Sequence, residues 1–220
     1  MKIFKKIFTL KQVPLLNWSS SSPLNLKPNI ITFFFLILGL FLFGLGETIL
    51  LASSQGMSPW TVFAQGISLN TNFSIGLSTF IISMFALIFW IPLKQKPGIG
   101  TILNAIVVSI VLDYSYQFLP KPDQFFYQIL QVFIGIFIVG IGSGFYLIAN
   151  LGSGPRDGLM IGLQKLTKLP IFLIRSSIEI SVVSVGWYMG GLVGFGTFMF
   201  AVFIGTFVSI GLQIVKFFFK

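Results

Sequence analysis

The sequence predicts an all-α polytopic membrane helix bundle. Six transmembrane helices form two inverted three-helix repeats, with two short broken or re-entrant helices. Three observations predict this. Of 220 residues, 55% are hydrophobic and only 9% charged, with a mean hydropathy of +0.96. A soluble domain covers itself with about a quarter charged residues, so this surface must face lipid. Six apolar runs are each long enough for a bilayer, which takes about 20 residues. Finally, the chain matches itself without a gap at an offset of 96 residues.

The elements follow in order. Residues 1–29 read as a basic N-terminal cytoplasmic tail. In it Lys2, Lys5, Lys6 and Lys11 alternate with Ile3, Phe4, Ile7 and Phe8, the pattern of a short interfacial helix, and a Ser/Pro-rich link follows at 19–28. The lead is too polar and too long for a cleaved signal peptide. Repeat A covers 30–119, with crossings near 33–53, 73–92 and 100–119. Repeat B covers 126–217, with crossings near 126–149, 169–189 and 196–215. The segments 58–69 and 154–166 are too short to span and open on Gly/Pro breaks, so each reads as a half-helix. Positive charge sets the orientation. With the N-terminus inside, Lys94, Lys96, Arg156, Lys165, Lys168, Lys216 and Lys220 all fall inside, and the outer connections carry only Lys121 beside Asp123. Both termini are then cytoplasmic.

In the self-match Gly39, Phe41, Gly44 and Gly46 fall on Gly135, Phe137, Gly140 and Gly142. Gly56 and Pro59 fall on Gly152 and Pro155, and Gly98, Gly100, Thr101 and Ala105 on Gly194, Gly196, Thr197 and Ala201. Three crossings per repeat is an odd number, so the second repeat runs opposite to the first. The break at 56–60 then faces outside and that at 152–157 inside. Two half-helices entering from opposite faces meet near the midplane, as at transporter and channel sites. The alternative is a duplication that records only stable packing.

Composition also narrows the chemistry. Cysteine and histidine are absent and only five carboxylates remain. Disulfides, thiol nucleophiles and the commonest metal ligand and general base are therefore lacking, and neither an enzyme, a metal site nor a cofactor is expected. The net charge of +9 lies in short clusters between apolar runs, where topology explains it and no nucleic-acid partner is expected.

Polar groups at membrane depth are costly and default to functional candidates. Glu47 and Asp113 fall in the outer halves of the first and third crossings. Facing inward together they would form an acidic vestibule for a cation or a proton; near helix ends, Asp113 beside Tyr114 and Tyr116, they would only be hydrated. Ser58-Pro59 and Gly154-Pro155 open the half-helices, with proline suited to a first helical position. Arg156 with free backbone N–H groups would make an anion site, and Asp157 complements the helix dipole; alternatively Arg156 contacts lipid headgroups. Lys outnumbers Arg twelve to two, which suggests that the planar guanidinium matters at Arg156 and Arg175. Arg175 and Glu179 lie one turn apart and can pair, either as structural glue or as a gate facing Arg156 and Asp157. Ser177, Ser181, Ser184 and Tyr188 lie roughly opposite them, which predicts a central helix. Gly140-x-x-x-Gly144 and Gly186-x-x-x-Gly190 suit close helix contact. Thr101 and Thr197 read as caps of the third and sixth crossings. Asn104 and Asn150 are candidate polar linings, Trp60, Trp90 and Trp187 candidate interfacial anchors, and the 27 phenylalanines lipid-facing bulk.

Several motifs resemble a known group. They are Gly56-Met-Ser-Pro-Trp60, Pro97-Gly-Ile-Gly-Thr-Ile-Leu-Asn-Ala105, Gly152-Ser-Gly-Pro-Arg-Asp-Gly-Leu-Met160, Arg175-x-x-x-Glu179 and Gly194-Phe-Gly-Thr197. Together they are similar to the bacterial YczE/YitT-type integral membrane proteins, over residues 30–212. The resemblance implies a bacterial inner-membrane protein of unsettled function and adds no substrate. One departure is Thr61, where the family often carries an acid after Pro-Trp. The expected function is a secondary transporter or facilitator of an unidentified small solute through a site between the repeats. The rival is a non-transporting membrane scaffold or accessory subunit. Expected partners are the lipid bilayer and a small-molecule or ionic solute, with a homo-oligomer left open.

Overall fold

The computed structural model describes residues 13–219, and every regular element in them is a helix. The basic helix expected around Lys2 to Lys11 lies outside the described residues. The helices are α1 Ile30–Ala52, α2 Pro59–Asn70, α3 Ile75–Trp90, α4 Ile99–Tyr116, α5 Phe125–Ala149, α6 Pro155–Thr167, α7 Ile171–Tyr188 and α8 Phe195–Phe218. Their bounds follow the apolar runs and the Gly/Pro breaks of the sequence. Five of them, α1, α4, α5, α7 and α8, are long and apolar enough to cross a membrane, and α2 with α3, bent by 116°, make a sixth candidate. The chain is a polytopic helical membrane protein.

Glycine decides which helices touch. α1 and α5 form the central pair, because a Cβ at Gly39 would lie 2.8 Å from the Gly142 carbonyl oxygen and one at Gly46 2.7 Å from that of Gly135. Such backbone-to-backbone approach is how membrane helices pack when lipid offers no hydrophobic drive. α4 rests on α1 at Gly44, α8 on α5 at Gly140 and Gly144, α7 on α2 at Gly186 and α6 on α3 at Gly158. Gly190 is instead a turn residue, with φ +92.

The two breaks are held by distant motifs. Gly56 and Gly152 take φ +101 and +110, where only glycine is unstrained. The Gly196 N–H donates to the Gln55 carbonyl at 2.7 Å and the Gly100 N–H to the Leu151 carbonyl at 2.8 Å. Thr197 Oγ1 accepts from the Met57 N–H at 3.1 Å, while Thr101 Oγ1 donates to the Ser153 carbonyl at 2.7 Å. Both threonines also accept from the N-cap glycines of their own helices.

Several expectations need correction. α7 is peripheral, with only Ile174 and Gly186 buried; Ser181 Oγ donates to the Ser177 carbonyl of its own helix at 2.8 Å and so needs no bundle partner. Trp60 and Trp90 are buried, and the Trp90 indole N–H donates to the Pro155 carbonyl at 2.9 Å; only Trp187 stands exposed. Phe145 and Phe200 are buried too. Asn150 caps α5 in the left-handed region, and its amide donates to the Ser20 carbonyl at 2.8 Å. Asp113 forms no vestibule with Glu47. It clasps α4 to the start of α3, accepting from the Gly76 N–H at 2.7 Å and from the Ser74 hydroxyl. The corresponding seam between α7 and α8 is loose, and a Cβ at Gly205 would meet nothing within 4 Å.

Candidate functional site

A cavity of about 260 Å³ sits where the starts of α2 and α6 approach the α1–α5 pair. Glu47, Ser58, Pro59, Gly154, Arg156, Asp157, Arg175 and Glu179 all line it. Asn104, expected as a polar lining, lines it too. Pro155 does not, its carbonyl being turned to Trp90, and neither do Asp113 and Asn150.

Glu47 reaches the cavity from α1, and Gly46 beside it lets α5 close behind. Its carboxylate is buried, and Oε2 accepts from Ser58 Oγ at 2.7 Å and from Thr61 Oγ1 at 2.8 Å. The two hydroxyls also contact each other at 2.9 Å. Ser58 is the N-cap residue of α2 and Thr61 lies in its first turn, which Pro59 starts. Two oriented donors on one oxygen fix the carboxylate and leave Oε1 unbonded among the described residues.

The second half supplies a matching arrangement. Asp157, in the first turn of α6, accepts from the Tyr146 hydroxyl at 2.7 Å. Beside it, the Arg156 guanidinium lies over the Trp60 ring, 5.2 Å from its centroid, a cation–π geometry. Glu47 and Asp157 both act on Arg156 electrostatically, yet no carboxylate oxygen comes within 4.0 Å of its nitrogens. Arg175 Nε and Glu179 Oε1 pair at 2.8 Å, the only ion pair among the described residues.

The two sides differ in exposure. Glu47 and Ser58 are each 2% exposed, whereas the side chains of Arg175 and Glu179 are 46% and 20% exposed. The groups from α1 and α2 are buried, whereas the pair on α7 is partly exposed. The cavity can bind unlike charges at separate points, while its other wall, including Val139, Phe200, Ile204 and Val208, is apolar. Among the described residues no three carboxylates converge as a metal site would need.

Sequence reasoning missed Thr61, Tyr146 and Trp60 as site residues. Thr61 had a signal: it is the position where an acid was expected, and here it donates to an acid on another helix. Tyr146 had none, since nothing in an apolar run marks which residue faces Asp157.

Residues 30–212 match the family described as a family of unknown function, DUF6198. An uncharacterized protein of Haemophilus influenzae is 39% identical over 206 residues, 94% of each chain. The uncharacterized membrane protein YczE of Bacillus subtilis is 30% identical over 82% of this chain and 84% of its own. The uncharacterized protein YyaS of the same organism is 24% identical over 81% of this chain and 91% of its own. No solved structure matches the chain.

Proposed function

The chain belongs to the DUF6198 family, and we propose that it is a secondary transporter or facilitator of a small solute in the bacterial cytoplasmic membrane. The observation that carries this is the cavity, where charged side chains from both halves converge between the starts of two half-helices. Half-helix ends meeting at membrane depth serve as solute sites because they offer free backbone groups and dipole ends.

Support for an inverted repeat comes from the contacts. Gly39 meets Gly142, and Gly135 meets Gly46; Gly44 meets Val111, and Gly140 meets Phe207; Gly158 meets Trp90, and Gly186 meets Val62. Shifting both members of a contact by 96 positions into the other half yields its counterpart each time. On this reading the two halves relate by a pseudo-two-fold axis in the membrane plane, and the positive charges put both termini in the cytoplasm. They differ where α3 is clasped to α4 through Asp113 while α7 stands apart from α8. In this orientation the molecule is open inward, Arg175 and Glu179 form the gate, and exchange of the two seams gives the outward-open form.

The test uses the absence of cysteine. Ser153→Cys and Ser58→Cys are each treated with a membrane-impermeant thiol reagent from either face. Labelling of position 153 from inside and of position 58 from outside supports alternating access. A cavity unreactive from both faces leaves the non-transporting scaffold as the function.

A further inference from the structure

The charges around the cavity identify a class of solute, on the premise that the cavity is a transport site. We infer that it takes a small zwitterion, a molecule of amino-acid size that carries both a carboxylate and an ammonium group.

Size comes first. About 260 Å³ is room for roughly nine waters at ~30 Å³ each. It falls below the span of drug-sized sites, about 300–1,000 Å³. That is room for a solute of amino-acid size.

Charge comes second. Arg175 and Glu179 satisfy one another. That leaves one guanidinium and two carboxylates, and none of the three is paired with another. Among the described residues Arg156 has its fork of donors unbonded and one face on Trp60, and a fork of this kind binds a carboxylate in two parallel hydrogen bonds. Glu47 and Asp157 each keep one oxygen unbonded among the described residues, and Ser58, Thr61 and Tyr146 hold them in place. Acceptors so fixed suit an ammonium, which only donates.

A monoanion would answer Arg156 and add to the negative charge of the other two. A monocation would answer the carboxylates and leave the guanidinium unpaired beside it. A zwitterion offers its carboxylate to Arg156 and its ammonium to the two acceptors together, and leaves the net charge unchanged. Its substituent then lies on Phe200, Ile204 and Val208.

The test is calorimetric titration of the full chain in lipid nanodiscs with three probes of one carbon skeleton: L-valine, isovalerate and isobutylamine. Glycine, acetate and methylamine repeat the comparison without a substituent, so that size alone does not decide it. One zwitterion is expected to bind at least ~10-fold more tightly than its matched acid and amine, since a hydrogen bond to a charged group carries about that factor. Arg156→Ala should lower zwitterion affinity by a similar factor without weakening the amine, whereas a folding defect would lower both. Equal binding of the acid overturns the proposal in favour of an anion, and equal binding of the amine in favour of a cation. If none of the six binds while Ser153→Cys is labelled, the zwitterion assignment falls and transport stands. If Ser153→Cys is also unreactive from both faces, both fall.

Discussion

Arg156 stacks on Trp60 at 5.2 Å, and each is the second residue of a half-helix that proline begins. The two positions are 96 apart. One half therefore contributes an aromatic face, the other the cation that lies on it, and the contact ties the two half-helix starts together.

Lysine at position 156 would keep the charge and lose the planar fork and the stacking surface. Arg156→Lys is expected to reduce zwitterion exchange in proteoliposomes at least ~10-fold, while the melting temperature in detergent changes little. Unaltered exchange would assign Arg156 to headgroup contact.

The Glu47–Thr61 hydrogen bond of 2.8 Å is testable by a double-mutant cycle. Glu47→Gln and Thr61→Val, singly and together, should reveal a coupling of about 0.6–1.7 kcal/mol, the range for hydrogen bonds between membrane helices. Zero coupling would mean that the hydroxyl of Thr61 does not hold the carboxylate.

Two glycines of α8 make a matched pair. A Cβ at Gly211 would lie 2.1 Å from the Gly140 carbonyl oxygen, while one at Gly205 meets nothing within 4 Å. Gly211→Ala should destabilise by about 1–3 kcal/mol through overpacking. Gly205→Ala should be neutral, or stabilise by up to ~1 kcal/mol through helix propensity. Thermal unfolding in a common detergent checks both, and equal losses would contradict the helix packing.

The loose seam yields a conformational prediction. Phe172 and Gly205 are the counterparts of Gly76 and Ser109, which meet where α3 packs on α4. A Phe172→Cys, Gly205→Cys pair should cross-link only as the α7–α8 seam closes. The cross-linked protein should then label at Ser58→Cys from outside and lose labelling at Ser153→Cys from inside. Labelling unmoved by the cross-link would rule out exchange of the seams.

The sequence by itself determined the membrane class, the helices and the breaks between them. A composition with 9% charge leaves no soluble alternative, and Gly-x-x-Pro stops and restarts a helix through local backbone geometry, so these features are readable without a partner. It also singled out nine of the cavity residues, the five charged ones because charge at membrane depth is rare enough to stand out. Only the tertiary structure decided which side of each helix faces inward. These helices are apolar around most of their circumference, so no amphipathic stripe reports rotation. Trp60 therefore read as an interfacial anchor, Asp113 as part of a vestibule and α7 as central. Rotation is set by glycine contacts between residues about a hundred positions apart, such as Gly39 with Gly142. Those contacts bring Thr61 to Glu47, Tyr146 to Asp157 and Arg156 to Trp60.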